Sequence, residues 1–211
     1  MAAGDIALHS AEALAGPVSL ERGLLEQCRQ GDAEAFARLV ALHEGMVFNL
    51  AVRLLGEAEE ARDIAQEVFL QVYRSLGRFE GRSALKTWIY RIVVNQCRNR
   101  RRWWRRRRKE RSCPLEALTQ ADEARLAEAG PRTEGPEERL QRREQARAVR
   151  AALLRLSFEH RAVLLLREVE GLSCAEIAGA LSVAEGTVKS RLSRAREALR
   201  RALGAELEAA R

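Results

Sequence analysis

The segment Leu172 to Leu199, LSCAEIAGALSVAEGTVKSRLSRAREAL, spells a short helix, a tight turn and a second helix that is amphipathic and basic. Ser173 with Glu176 three residues on makes a capping box, and Ser182 with Glu185 repeats the signal nine residues later, so both helix starts are marked. The turn is predicted near Leu181 to Val183. In the second helix Val188, Leu192, Ala195 and Leu199 recur at steps of four, three and four, which stacks them into one buried stripe. Lys189, Ser190, Ser193 and Arg194 are left outside it. A helix packed by one stripe and lined opposite with Arg, Lys and Ser can enter a major groove, where these side chains reach base edges and phosphates. A charged outer face alone fits a solvated bundle helix equally well. The paired capping signals and the short turn favour DNA reading.

Charge supports a polyanionic partner. The 211 residues carry a formal net charge of +7, and it is unevenly placed. Residues 20–109 are net +8, residues 110–138 net −5 and residues 139–211 net +6. The acidic middle block also holds Pro114, Pro131 and Pro136 with little apolar periodicity, so it reads as a flexible linker between two basic domains.

Other classes find little footing. No apolar run approaches the ~20 residues of a membrane span and no signal peptide is legible, so a soluble, cytoplasmic protein without membrane insertion is expected. Cys28, Cys97, Cys113 and Cys174 are far apart, with no CxxC pair, and read as reduced thiols. His9, His43 and His160 form no constellation with a nucleophile or a carboxylate pair. No catalytic site, metal site or cofactor loop is expected.

The first block reads as helices throughout. After a tail, Asp32 caps a helix on which Phe36, Leu39, Val40, Val47, Ala51 and Leu54 keep the helical period up to Gly56. A second helix is expected from about Glu57 to Leu76, burying Ala61, Ile64, Ala65, Val68, Phe69, Val72 and Leu76 while Asp63, Gln66, Glu67 and Leu70 look elsewhere. By spacing alone that outer face is as readily solvated as protein-binding. A loop from Gly77 to Arg82 leads to a third helix that Ser83 could cap. On it Leu85, Trp88, Ile89, Ile92 and Gln96 share one side, with Tyr90 pointing away, while Arg91, Asn95, Arg98 and Arg102 form a polar stripe. Ten of the fourteen residues from Arg98 to Arg111 are basic, which points to phosphate binding. Trp103 and Trp104 inside that run could stack on unpaired bases or pack against the domain.

At this point the sequence resembles a family. EEARDIAQEVFLQVYRSLGRF, then ALKTWIYRIVVNQCRNRRR, then the linker, then LLREVEGLSCAEIAGALSVAEGTVKSRLSRAREALR are similar in order and separation to an extracytoplasmic-function sigma factor of the sigma-70 superfamily, over about residues 20–205. The resemblance implies an all-α fold of two small helical domains. Region two would span 20–109 and region four, with the helix-turn-helix, 139–205; the linker is 110–138 and the tails are 1–19 and 206–211. It also implies roles. Asp63, Gln66, Glu67 and Leu70 would dock on the clamp of the largest subunit of core RNA polymerase. Phe79, Glu80 and Ser83 belong to a loop that would capture a flipped base of the minus-ten element. Tyr90, Arg91, Asn95, Arg98 and Arg102 would guide the melted strand, and Thr187, Lys189, Ser190, Arg191, Ser193 and Arg194 would read the minus-thirty-five element. Promoter DNA, core polymerase and an anti-sigma protein are the implied partners, and bond chemistry belongs to the polymerase. The alternatives are a conventional helix-turn-helix regulator acting outside the polymerase, and an RNA-binding protein or nucleic-acid enzyme.

Overall fold

A computed structural model describes residues 17–107 and 135–209. It is all-α among them, in two helical units. The first comprises α1 (Pro17–Arg29), α2 (Ala33–Leu55), α3 (Ala58–Ser75), a 3-10 turn (Leu76–Arg78) and α4 (Leu85–Arg107). The second comprises α5 (Pro136–Arg155), α6 (Phe158–Leu164) continuing into a π turn (Leu165–Val169), α7 (Cys174–Leu181) and α8 (Glu185–Ala209).

The ends of α2 follow from its sequence. Asp32 Oδ1 accepts from the backbone N–H of Glu34 at 2.8 Å and of Ala35 at 3.1 Å, satisfying donors that the first turn leaves free. Gly56 closes the helix at φ 87°, where a side chain would be strained. The helix is 23 residues long and, by length and composition, apolar enough to cross a membrane, contrary to the sequence reading. Its Leu39, Val47, Leu50, Ala51 and Val52 are buried, and α1, α3 and α4 pack around it, which gives those apolar residues a place in a bundle core. On α3 the buried residues Ala61, Ile64, Val68, Phe69 and Val72 coincide with the expected face.

Several expected boundaries move. Ser83 does not cap α4: the helix begins at Leu85, and the Ala84 carbonyl accepts from Trp88 N–H at 3.1 Å. Ser182 does not open the second capping box. It takes the left-handed conformation, φ 55°, that the turn requires after α7, and α8 starts three residues later at Glu185. The first box is intact, with Glu176 N–H donating to Ser173 Oγ at 3.2 Å and Ser173 N–H donating to Glu176 at 2.8 Å. Helix α1 begins at Pro17, inside the expected tail, and Pro136 opens α5 at the C-terminal edge of the expected linker, where a missing N–H costs nothing. The rest of that linker, with Cys113, lies outside the described residues.

The two units pack directly against each other. Arg161 on α6 is 4% exposed and donates Nη1 to the Leu54 carbonyl at the end of α2, at 2.6 Å. It also reaches the carbonyls of Leu153 (2.8 Å), Leu154 (2.7 Å) and Leu156 (3.1 Å), closing off the C-terminus of α5. Gly56 lies against the Leu154 side chain, whose methyls would have to shift to admit a Cβ 2.8 Å away, so it is the φ that requires glycine here. Helix α7 lies against α4. Burial on α4 is consequently broader than one stripe, and Val93, Val94 and Cys97 join Leu85, Ile89 and Ile92 in the core.

Candidate nucleic-acid interface

Helix α8 is oriented as its periodicity requires. Val188, Leu192 and Ala195 are buried, Leu199 is partly buried, and Ser190, Ser193 and Arg194 are exposed on the opposite side. Thr187 is half-buried at the start of the helix, and its carbonyl accepts from Ser190 Oγ at 3.0 Å. Lys189 pairs with Glu185 one turn back at 2.8 Å, both side chains being largely in solvent, and this partner raises the ammonium pKa. Arg191 pairs with Glu159 of α6, within the same unit, at 3.2 Å.

Helix α4 carries the second basic face. Arg91, Asn95 and Arg102 are exposed, and a groove of about 620 Å³ runs beside them, lined also by Trp88, Gln96 and Asn99. Arg98 also lines this groove, but its guanidinium is engaged. Its Nε and Nη2 donate to the Glu159 carboxylate at 3.2 and 3.3 Å, its Nη1 donates to Asn95 at 3.1 Å, and its guanidinium lies 5.8 Å from the Phe158 ring centroid. Glu159 therefore holds an arginine from each of the two candidate DNA faces, Arg98 and Arg191, much as a phosphate would.

Two expected site residues are placed differently. Tyr90 does not point away from the apolar face: it is fully buried, because α7 covers that side of α4 and the phenol finds Glu170 of the second unit. Phe79, expected in a base-capturing loop, is buried with its ring 5.0 Å from Trp88, so the aromatic pair anchors the loop, while Glu80 and Ser83 are exposed. Glu80 pairs with Arg82 at 2.6 Å. The two tryptophans of the arginine run divide as well. Trp103 is exposed under the Arg107 guanidinium at 4.4 Å, and Trp104 packs against the core.

A polar face on α3 completes the set. Asp63, Gln66, Glu67 and Leu70 are all exposed, Leu70 by 55%. Beside them Arg100 of α4 bonds Glu60 and Glu67, a contact that helix periodicity within α3 or α4 could not reveal. Glu159, Glu170 and Arg161 were likewise not singled out by the sequence, since their partners lie on or at the ends of other helices.

Comparison with known proteins bears on both units. The sigma-70 region 2 profile matches residues 39–110, and the sigma-70 region 4 profile matches residues 146–199. RNA polymerase sigma-H factor of Pseudomonas aeruginosa is 38% identical over 186 residues, spanning 87% of this chain and 93% of the relative. The ECF RNA polymerase sigma factor SigW of Bacillus subtilis is 33% identical, over 85% and 94%. Among solved structures, the sigma factor RpoE of Bartonella quintana, crystallised with the anti-sigma factor NepR, shares the fold with a TM-score of 0.61 at 24% identity, over 82% of this chain and 98% of that one. CnrH in complex with the cytosolic domain of CnrY gives 0.58 at 24% identity, over 87% and 97%. Two helical units matching regions 2 and 4 in that order define a transcription initiation factor rather than a free-standing helix-turn-helix regulator. The chain belongs to the sigma-70 family, among the extracytoplasmic-function sigma factors.

Proposed function

We propose that this chain binds core RNA polymerase, recognises promoter DNA and assists its melting in the cytoplasm, with no catalysis of its own. The observation that carries the reading is the separation of three exposed surfaces. The acidic face of α3 (Asp63, Gln66, Glu67, Leu70) suits a protein partner, the α4 stripe (Arg91, Asn95, Arg102) suits a single strand, and the outer face of α8 suits a duplex. Regions two and four would span residues 20–109 and 139–205, with 110–138 as the tether.

In the arrangement described, DNA engagement must follow separation of the units. Tyr90 is buried and bonded to Glu170 of the second unit, and Arg98 is held across the units by Glu159, which also pairs with Arg191 inside the second unit. Phosphates would replace the Glu159 carboxylate once the faces part. An anti-sigma protein that holds the units together would keep the same groups covered; the RpoE structure that shares this fold was crystallised with an anti-sigma factor.

The direct test is co-purification of the full chain with core RNA polymerase, followed by permanganate probing of a target promoter. Stable association and reactive thymines near the start site are expected. Promoter binding without any association with core would support the free-standing regulator instead.

A further inference from the structure

Three carboxylates of α3, those of Glu60, Asp63 and Glu67, follow steps of three and four and so share the side of the helix that meets α4. Like charges so spaced repel one another, and each is worth less as a docking group if it can swing freely. One guanidinium answers all three. Arg100 bonds Glu60 through Nη1 and Glu67 through Nη2, the latter at 2.6 Å, while Asp63 lies 3.9 Å away at the outer limit of pairing. Arg100 is 20% exposed, whereas Asp63 is 66% exposed and Glu67 45%. The planar fork thus ties down two acids and leaves one projecting.

We infer that Arg100 is a positioning residue for polymerase binding: it fixes Glu67 in one rotamer, neutralises Glu60, and leaves Asp63, only loosely paired, as the most exposed anion of the docking face. The inference rests on the reading that this α3 face meets core polymerase. Arg100 itself stays behind the face and touches the partner only through the acids it holds. The electrostatics fit, since Glu60 and Glu67 favour its charged form against the cost of burial.

A simple charge argument predicts the opposite outcome, which makes the inference testable. Removing Arg100 makes the face more negative, so attraction alone would tighten binding to a cationic docking surface; loss of positioning loosens it. The experiment measures binding of the full chain to core RNA polymerase by competition with a labelled parent chain, for Arg100→Gln, Glu67→Gln, the double variant and Asp63→Lys, alongside their thermal midpoints. Arg100→Gln is expected to bind about tenfold more weakly with the midpoint little changed, and in the Glu67→Gln background the same change should cost less than about threefold. Arg100→Lys, which keeps the charge but cannot span both acids, should stay weakened, and it replaces Arg100→Gln in the comparison if the latter lowers the midpoint. Parent-like or tighter binding by these Arg100 variants, with Asp63→Lys defective, overturns the positioning role and leaves the docking face standing. Undiminished binding by Asp63→Lys overturns the docking face itself, and the inference with it.

Discussion

Tyr90 donates its hydroxyl to the Glu170 carboxylate, across 80 residues of chain and between the two helical units. The π turn Leu165–Val169 supplies the geometry, because its wider loop delivers Glu170 towards α4 while Glu170 N–H still bonds the Leu165 carbonyl at 3.1 Å. Arg53 approaches the same carboxylate at 3.8 Å. Burial and the adjacent acid push the Tyr90 phenol well above its ordinary range, so it remains a donor at any physiological pH.

That contact should help to set how often the units part. A hydrogen bond to a charged group contributes about 1.5–3 kcal/mol, so Glu170→Ala, which leaves the phenol without its acceptor, should raise the separated population by about tenfold or more. Hydrogen exchange on the facing sides of α4 and α7, and the affinity of the free protein for a minus-ten single strand, should both increase. Parent-like values in both would mean that other contacts hold the units closed.

Arg161 carries a different load. Burial pulls its guanidinium down to about 10, which leaves it charged at neutral pH, and four backbone carbonyls surround it. Arg161→Met should cost about 3 kcal/mol or more, since each buried acceptor left unpaired costs about 1–3 kcal/mol. Arg161→Lys should recover little, as one ammonium cannot reproduce the fork. Urea unfolding midpoints decide this; a loss under about 1 kcal/mol would show that water replaces the guanidinium freely.

His43 should give the protein a mildly acid-sensitive first unit. Burial lowers its pKa, and Lys86 adds to this, against the opposing pull of Glu21 at 3.9 Å. With the folded value below the unfolded one, the unfolded chain takes the proton first as pH falls. The associated stability is therefore present above about pH 6.5 and is lost as pH drops through the folded value. Between about pH 7.5 and pH 5 the parent should lose more stability than His43→Gln. Equal losses would assign the acid sensitivity to other groups.

Local signals were legible where the chain answers to itself. Asp32, Gly56, the Ser173–Glu176 box and the Val188–Leu192–Ala195 stripe all act within one helix or its first turn, and the structure keeps each. What escaped the sequence was set by packing between elements. Tyr90 is polar enough to read as outward and sits off the first apolar stripe, but a helix from the other unit covers it. Phe79 read as a loop aromatic, yet Trp88 lies within stacking distance once α4 folds back. Ser182 had the right residue type and spacing for a cap, and the turn claimed it for a left-handed conformation instead. Glu159 could not announce itself, since Arg98 and Arg191 lie 61 and 32 residues away.

The rotation of α8 leads to the sharpest expectation, that Ser190, Ser193 and Arg194 read bases while Lys189 and Arg191 hold phosphate. Val188, Leu192 and Ala195 face the domain, which puts Ser190, Ser193 and Arg194 on the exposed side and Lys189 and Arg191 towards the two edges. In a major groove the outer face meets base edges and the flanks meet the backbones. The ion pairs accord with this division: Lys189 is held by Glu185 and Arg191 by Glu159, both carboxylates that phosphate could replace, whereas Arg194 projects from the outer face. Arg194→Ala should cost about 1–3 kcal/mol and relax preference at one base position, while Lys189→Ala should weaken all sequences alike and lower the salt slope by about one. Binding of both variants to a library of minus-thirty-five sequences at two salt concentrations separates the roles. If Lys189→Ala changed the preferred base and Arg194→Ala behaved as a uniform phosphate contact, α8 would have to enter the groove by a different edge from the one its packing leaves open.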